Sequence, residues 1–213
     1  MPNRVYLTCT SFTSMPNETQ QGEFRRASGA EYEAKACVPI YWLCLFSAKD
    51  IHVLPADHDG FDQDERPYAY LLCQKESGLA RLKSRAELVR ESVGPDRFGL
   101  YLQWIERLES EPFANVIVRT EELDWMGKEG QLERDLRKAL IHLEATEEHG
   151  ILRMSKAMTD IVGLWENEAL SDCESFELVG NASAGDAWPS KFVPPASKAV
   201  PVPRKKKSWW QLR

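Results

Sequence analysis

An α+β fold is predicted for this 213-residue chain from two kinds of segment and one boundary. Runs of β-branched and aromatic residues recur at 4–10, 68–73, 114–119 and 175–180, and such runs fit a pleated, half-buried surface. Between them, apolar residues at three- and four-residue steps mark helices, most clearly over 130–149. The boundary is compositional: beyond Gly180 the chain turns to Ala, Ser, Gly, Asp and Pro, and from Pro194 onward it is basic. The predicted architecture is a small, mostly antiparallel sheet covered by several amphipathic helices on at least one face. The order of elements also suits α/β crossovers. Residues 1–193 are expected to form a single globular domain and 194–213 a flexible basic tail.

In order along the chain, residues 5–10 open the fold as a strand, and a polar loop follows through Asn17, Gly22 and Gly29. Residues 31–48 are read as a helix with acids near its start, in which Tyr41, Trp42, Leu45 and Phe46 form an aromatic face for the core; Pro39 must kink it or begin a second piece. An acidic loop at 57–65 is closed by Pro67 and the strand at 68–73. Helices follow at 78–92 and 96–110, the second with Phe98, Leu102, Ile105 and Leu108 on one side. Residues 114–119 form the clearest strand, and Thr120 is placed as an N-cap before Glu121 and Glu122. The helix over 130–149 sets Leu132, Leu136, Ala139, Leu140 and Leu143 against a charged side and ends at Gly150. An amphipathic stretch at 151–165 precedes the last strand.

Composition narrows the class. With 43 % apolar and 28 % charged residues the chain reads as an ordinary soluble protein. Its longest apolar run, 37–46, is about half of what a bilayer helix needs. The amino terminus lacks the apolar core of a signal peptide, so a cytoplasmic location is expected. Five scattered cysteines, never two residues apart, fit small buried hydrophobes in a reducing compartment. The net charge is −6, and six cations without an acid follow Val193, which leaves −12 on the body. Such a body repels nucleic acid and anionic membranes and attracts cationic partners.

The acidic loop is the first candidate site. Asp57, Asp59, Asp62, Asp64 and Glu65 resemble a calcium loop in composition, but with Asp57 as the first ligand the sixth position is Asp62 instead of glycine and the twelfth is Tyr68 instead of glutamate. A docking surface for a basic protein fits better, because clustered carboxylates steer cations and accept arginine. An alternative is a hydrolytic or metal-dependent site around His52, Asp57, His58 and Asp59. The second candidate is the tail, where Arg204, Lys205, Lys206, Lys207, Trp209 and Trp210 suit an anionic surface or a partner protein and would make the chain a tail-recruited adaptor. His149 is placed at the negative end of its helix dipole. The segment 180–185 has one residue too many before Ser183 for a nucleophile elbow, and no histidine follows it. No phosphate-binding glycine loop, dinucleotide fingerprint or His-Glu-x-x-His helix is present, and no cofactor, catalytic residue or metal is expected.

The opening Met1-Pro2-Asn3-Arg4-Val5-Tyr6-Leu7, the segment Val38-Pro39-Ile40-Tyr41-Trp42-Leu43, the stretch from Asn115 through Leu123 and the later Phe176-Glu177-Leu178-Val179-Gly180 resemble a group of uncharacterised bacterial cytosolic proteins whose chains begin Met-Ala-Asn-Arg-x-Tyr-Leu. Pro2 and the basic Trp-Trp tail depart from that pattern. The resemblance implies an immunity-type role, the neutralising of a toxin or effector by binding. Together with the acidic body it gives the expected function: a cytosolic inhibitor of a basic toxin or effector protein, and not an enzyme.

Overall fold

The structure is a computed structural model that describes residues 3–55, 66–149, 152–164, 168–183 and 187–192. The chain begins with β1 (Arg4–Thr10), α1 (Gln21–Arg26) and β2 (Ser28–Lys35), then a buried turn, α2 (Ile40–Leu43), and the hairpin strands β3 (Ile51–Leu54) and β4 (Tyr68–Gln74). Three helices follow, α3 (Lys75–Ser84), α4 (Ala86–Val93) and α5 (Pro95–Ser110), before β5 (Asn115–Arg119) and α6 (Glu121–Asp124). The long α7 (Gln131–His149), α8 (Lys156–Val162), α9 (Ser175–Val179) and the short β6 (Asn181–Ala182) complete it. The strands form one sheet in the order β3-β4-β5-β1-β2-β6, every neighbour antiparallel. The expected α+β fold is therefore borne out.

Alternation along the strands decides which side each residue takes. Val5, Leu7 and Cys9 of β1, Val116 and Val118 of β5, Leu71 and Cys73 of β4, and Tyr32 and Ala34 of β2 all face the helical layer. There they meet the stripes of α5 (Leu100, Trp104, Leu108) and α7 (Leu136, Leu140, Leu143). The aromatic segment expected in the core is there: Tyr41, Trp42, Leu45 and Phe46 are all fully buried. On the other side of the sheet a smaller cluster, Met15, Phe24, Leu54, Tyr70, Leu72 and Ile117, is covered, among the described residues, only by α1 and the loop before it.

Two expected elements are corrected. Residues 31–48 are not a helix: the chain runs as β2 to Lys35, turns at Ala36 with φ of 56°, and only Ile40–Leu43 is α-helical, started by Pro39, before a 3-10 turn at Ala48–Asp50. The reason is the period-two order of Tyr32 and Ala34 inward against Glu31, Glu33 and Lys35, which the sheet uses and a helix cannot. Residues 175–180 are not a strand but α9, with a reciprocal capping box between Glu174 and Glu177. Tertiary contact fixes this helix, as the Trp42 Nε1 donates to Val179 O at 2.7 Å. Smaller differences follow the same logic. The helix expected at 78–92 is split at Arg85 into α3 and α4. The stretch expected at 151–165 is helical over Lys156–Val162. Thr120 holds the expected N-cap position of α6, but its side chain does not cap the helix, because its buried hydroxyl donates to Ala69 O on β4.

Candidate partner-binding site

The less covered face of the sheet carries the clearest candidate surface. On β1 the alternation that sends Val5, Leu7 and Cys9 inward sends Arg4, Tyr6 and Thr8 outward. Register then sets Tyr6 directly opposite Arg119 of β5 and opposite Glu33 of β2. The Arg119 guanidinium lies 4.9 Å from the Tyr6 ring centre and 5.6 Å from that of Phe24, a cation–π arrangement that fixes it in place, and it pairs with Glu31. Arg4 pairs with Glu33 at 3.1 Å and donates its backbone N–H to the Glu122 carboxylate at 2.8 Å. The Tyr6 side chain, then the Glu33 charge, hold the Arg4 pKa above its ordinary value.

A cleft of about 260 Å³ opens beside these residues, walled by Tyr6, Met15, Leu54, Arg66, Arg119 and Trp125. A second hollow of about 500 Å³ shares Tyr6 and Arg119 with it and reaches under α1 to Thr8, Phe24 and Arg25. Among the described residues, Thr8 Oγ1 and Arg119 Nε are buried without a hydrogen-bond partner. Trp125 and Met126, just past α6, are 52 % and 56 % exposed. A half-exposed tryptophan beside arginines is the residue mixture that dominates protein interfaces.

The acidic segment lies outside the described residues, so Asp57, Asp59, Asp62, Asp64 and Glu65, like His58, have no described placement. Its two ends are described: Pro55 and Arg66 both line the cleft. Arg66 is anchored there, with Nη1 donating to Gly127 O at 3.0 Å and Nη2 to Asp124 O. Asp124 is buried, takes the Ala69 N–H on Oδ2 at 2.9 Å, and leaves Oδ1 3.9 Å from Arg66. Its burial raises its pKa, against which the Ala69 N–H and Arg66 work.

The remaining candidates lie away from this cleft or outside the described residues. Of the histidines, His52 sits exposed on the edge strand β3 and stacks on Tyr70 with ring centres 5.3 Å apart, while the Nε2 of His142 meets Arg153 O at 2.7 Å. The alternative site around His52, Asp57, His58 and Asp59 thus has one described member. The tail residues Arg204, Lys205, Lys206, Lys207, Trp209 and Trp210, and the His149 side chain, lie outside the described residues. Ser183 has a structural task, donating its hydroxyl to Glu31 O at 2.7 Å. The five cysteines are free; four are buried and Cys37 is half-buried.

Sequence reasoning missed Arg4, Arg66, Arg119 and Trp125. The signal available for the first was the β1 alternation; the others come from separate elements and meet only through sheet register. Away from the cleft, among the described residues, Glu168, Cys173 and Glu177 offer metal-ligating atoms within 4.8 Å of one another. No helix of the described residues is long and apolar enough to cross a membrane. Compared with protein-family models, curated proteins and solved structures, the chain matches none.

Proposed function

We propose that this is an immunity- or inhibitor-type protein that acts in the cytosol, binding and neutralising a basic toxin or effector protein. Its contact surface is the cleft on the less covered face of the sheet together with the acidic segment 56–65. The observation that carries this reading is that Pro55 and Arg66, which bracket the acidic segment, line the same cleft as the half-exposed Trp125. Carboxylates and an aromatic face are the two groups that take a lysine or arginine side chain, one by charge-assisted hydrogen bonding and one by cation–π contact. The cleft arginines do not oppose this, since Arg4 and Arg119 already pair with Glu33 and Glu31. The −12 body adds long-range attraction for a cationic partner.

Co-expression with the cationic toxins encoded in the source genome tests the reading. The wild-type chain should protect cells from one of them and form an isolable complex with it. Trp125→Ala, and separately the lysine replacement of Asp57, Asp59 and Asp62, should each remove protection while the protein stays folded. Absence of any complex would reject the function; full protection by both variants would reject the surface.

A further inference from the structure

A second site lies where α9 meets the loop before it. Glu168 and Cys173 belong to the segment that leads into α9, and Glu177 is the third residue of that helix. Their ligand atoms, two carboxylate oxygens and one thiol sulfur, lie within 4.8 Å of one another. Cys173 is buried to 1 % exposure, whereas both glutamates are only half-buried and also line a cavity of about 480 Å³. A second thiol stands on that cavity's wall: Cys37, from the turn after β2. Three ligand groups from one continuous segment, 168–177, thus cluster beside a cavity whose wall carries a second cysteine from a distant part of the chain.

The donors are also held in place. Glu177 Oε2 accepts the Glu174 N–H at 2.6 Å, which orients the carboxylate. The Cys173 backbone is fixed by Arg97, whose Nε donates to Cys173 O at 2.8 Å, and its thiol donates to Ala169 O at 3.7 Å. Such outer contacts are what orient ligands in metal sites. We propose that Glu168, Cys173 and Glu177 bind a thiophilic divalent cation, zinc in the first instance, with the remaining coordination position turned toward the cavity that Cys37 lines. Zinc takes mixed thiolate and carboxylate ligands in a tetrahedral set, and a site with three protein ligands keeps one position open. Without a cation the neighbourhood is unfavourable to a thiolate. Burial, and then the charges of Glu177 and Glu168, push the Cys173 thiol up to about 12, and burial with the Glu177 charge pushes Cys37 up to about 11. A bound divalent ion reverses that balance and deprotonates the coordinating thiol.

The site is independent of the proposed partner-binding surface. Its test is titration of the purified, metal-stripped full chain with Zn²⁺ alone and with Co²⁺ alone as a spectroscopic probe. Stoichiometric binding is expected, and the Co²⁺ form should show a thiolate-to-metal charge-transfer band in the near ultraviolet. Cys173→Ser should abolish that band. Glu168→Gln and Glu177→Gln should retain the thiol yet weaken Zn²⁺ at least tenfold; Gln at 177 preserves the capping box, so this variant keeps its helix. A wild-type chain without the band, a band that persists in Cys173→Ser, or glutamine variants that titrate like wild type would each overturn the proposal.

Discussion

Arg85 is the buried residue whose environment explains most about why this core holds a charge. It is 1 % exposed and donates from Nη1 to Cys44 O and Phe46 O, both at 2.9 Å, while its Nε pairs with Glu147. Those carbonyls end the aromatic turn after α2, where no following helix residue can satisfy them, and a buried carbonyl without a donor is costly. Arg85→Ala should therefore lower stability by about 2–4 kcal/mol, since the buried Cys44 and Phe46 carbonyls lose their donor at about 1–3 kcal/mol each. Urea unfolding measures it; a loss below about 1 kcal/mol would mean that water replaces the guanidinium. Asp124 makes the complementary case. Because burial raises its pKa in the fold, the native state holds a proton that the unfolded chain releases. Stability is then greatest below the ordinary carboxylate value and falls as pH rises through the folded value. Asp124→Asn should flatten that acid-range slope, and unchanged slopes in a pH series of urea midpoints would contradict the assignment.

The elements differ in how far their neighbours decide them. Gly180 joins α9 to β6 at φ of 72°, and a Cβ there would lie 2.6 Å from Trp42 Cζ2 and 2.8 Å from Glu33 O. Gly180→Ala combines backbone strain with overpacking, each about 1–3 kcal/mol, so a loss of about 2–4 kcal/mol in urea unfolding is expected. The same junction shows where sequence reading stops. β1, β4 and β5 were legible from their β-branched and aromatic composition and α7 from its period, which burial follows; α5 was legible as a helix, but Leu102, expected on its apolar side, is 43 % exposed and Leu100, Tyr101 and Trp104 are buried with Ile105 and Leu108. Residues 175–179 carry no such period in five positions; their β propensity gives way to the Glu174–Glu177 box and the Trp42 bond, which lie partly outside the segment. For 31–48, the alternation at Tyr32 and Ala34 spans only five residues before the aromatic run on which the helix reading rested, and Pro39 divides the two. The candidate cleft was legible only as the composition of its acidic flank. Its arginines and Trp125 are single residues on different elements, and only strand pairing brings them together.

Charge over the molecule as a whole is divided along the chain: −6 in total, −12 without the six cations that follow Val193. Two consequences separate stability from association. Exposed ion pairs contribute about 0–1 kcal/mol each and are screened by salt, so a chain ending at Val193 should melt within a few degrees of the full chain at low and moderate salt. Association with a cation behaves otherwise, because steering depends on net charge over distances comparable to the Debye length, about 10 Å at 0.1 M salt and about 3 Å at 1 M. The shortened chain should bind a poly-lysine probe faster than the full chain at low ionic strength, and the two rates should converge as salt is raised. Stopped-flow measurement on both chains, using the Trp125 region's fluorescence with Trp125→Phe as a control, reads this directly. Equal rates at low salt would show that the tail leaves the field of the acidic body unchanged. A large melting loss at both salt levels would show instead that residues after Val193 pack against the fold, and that their charge is spent within it.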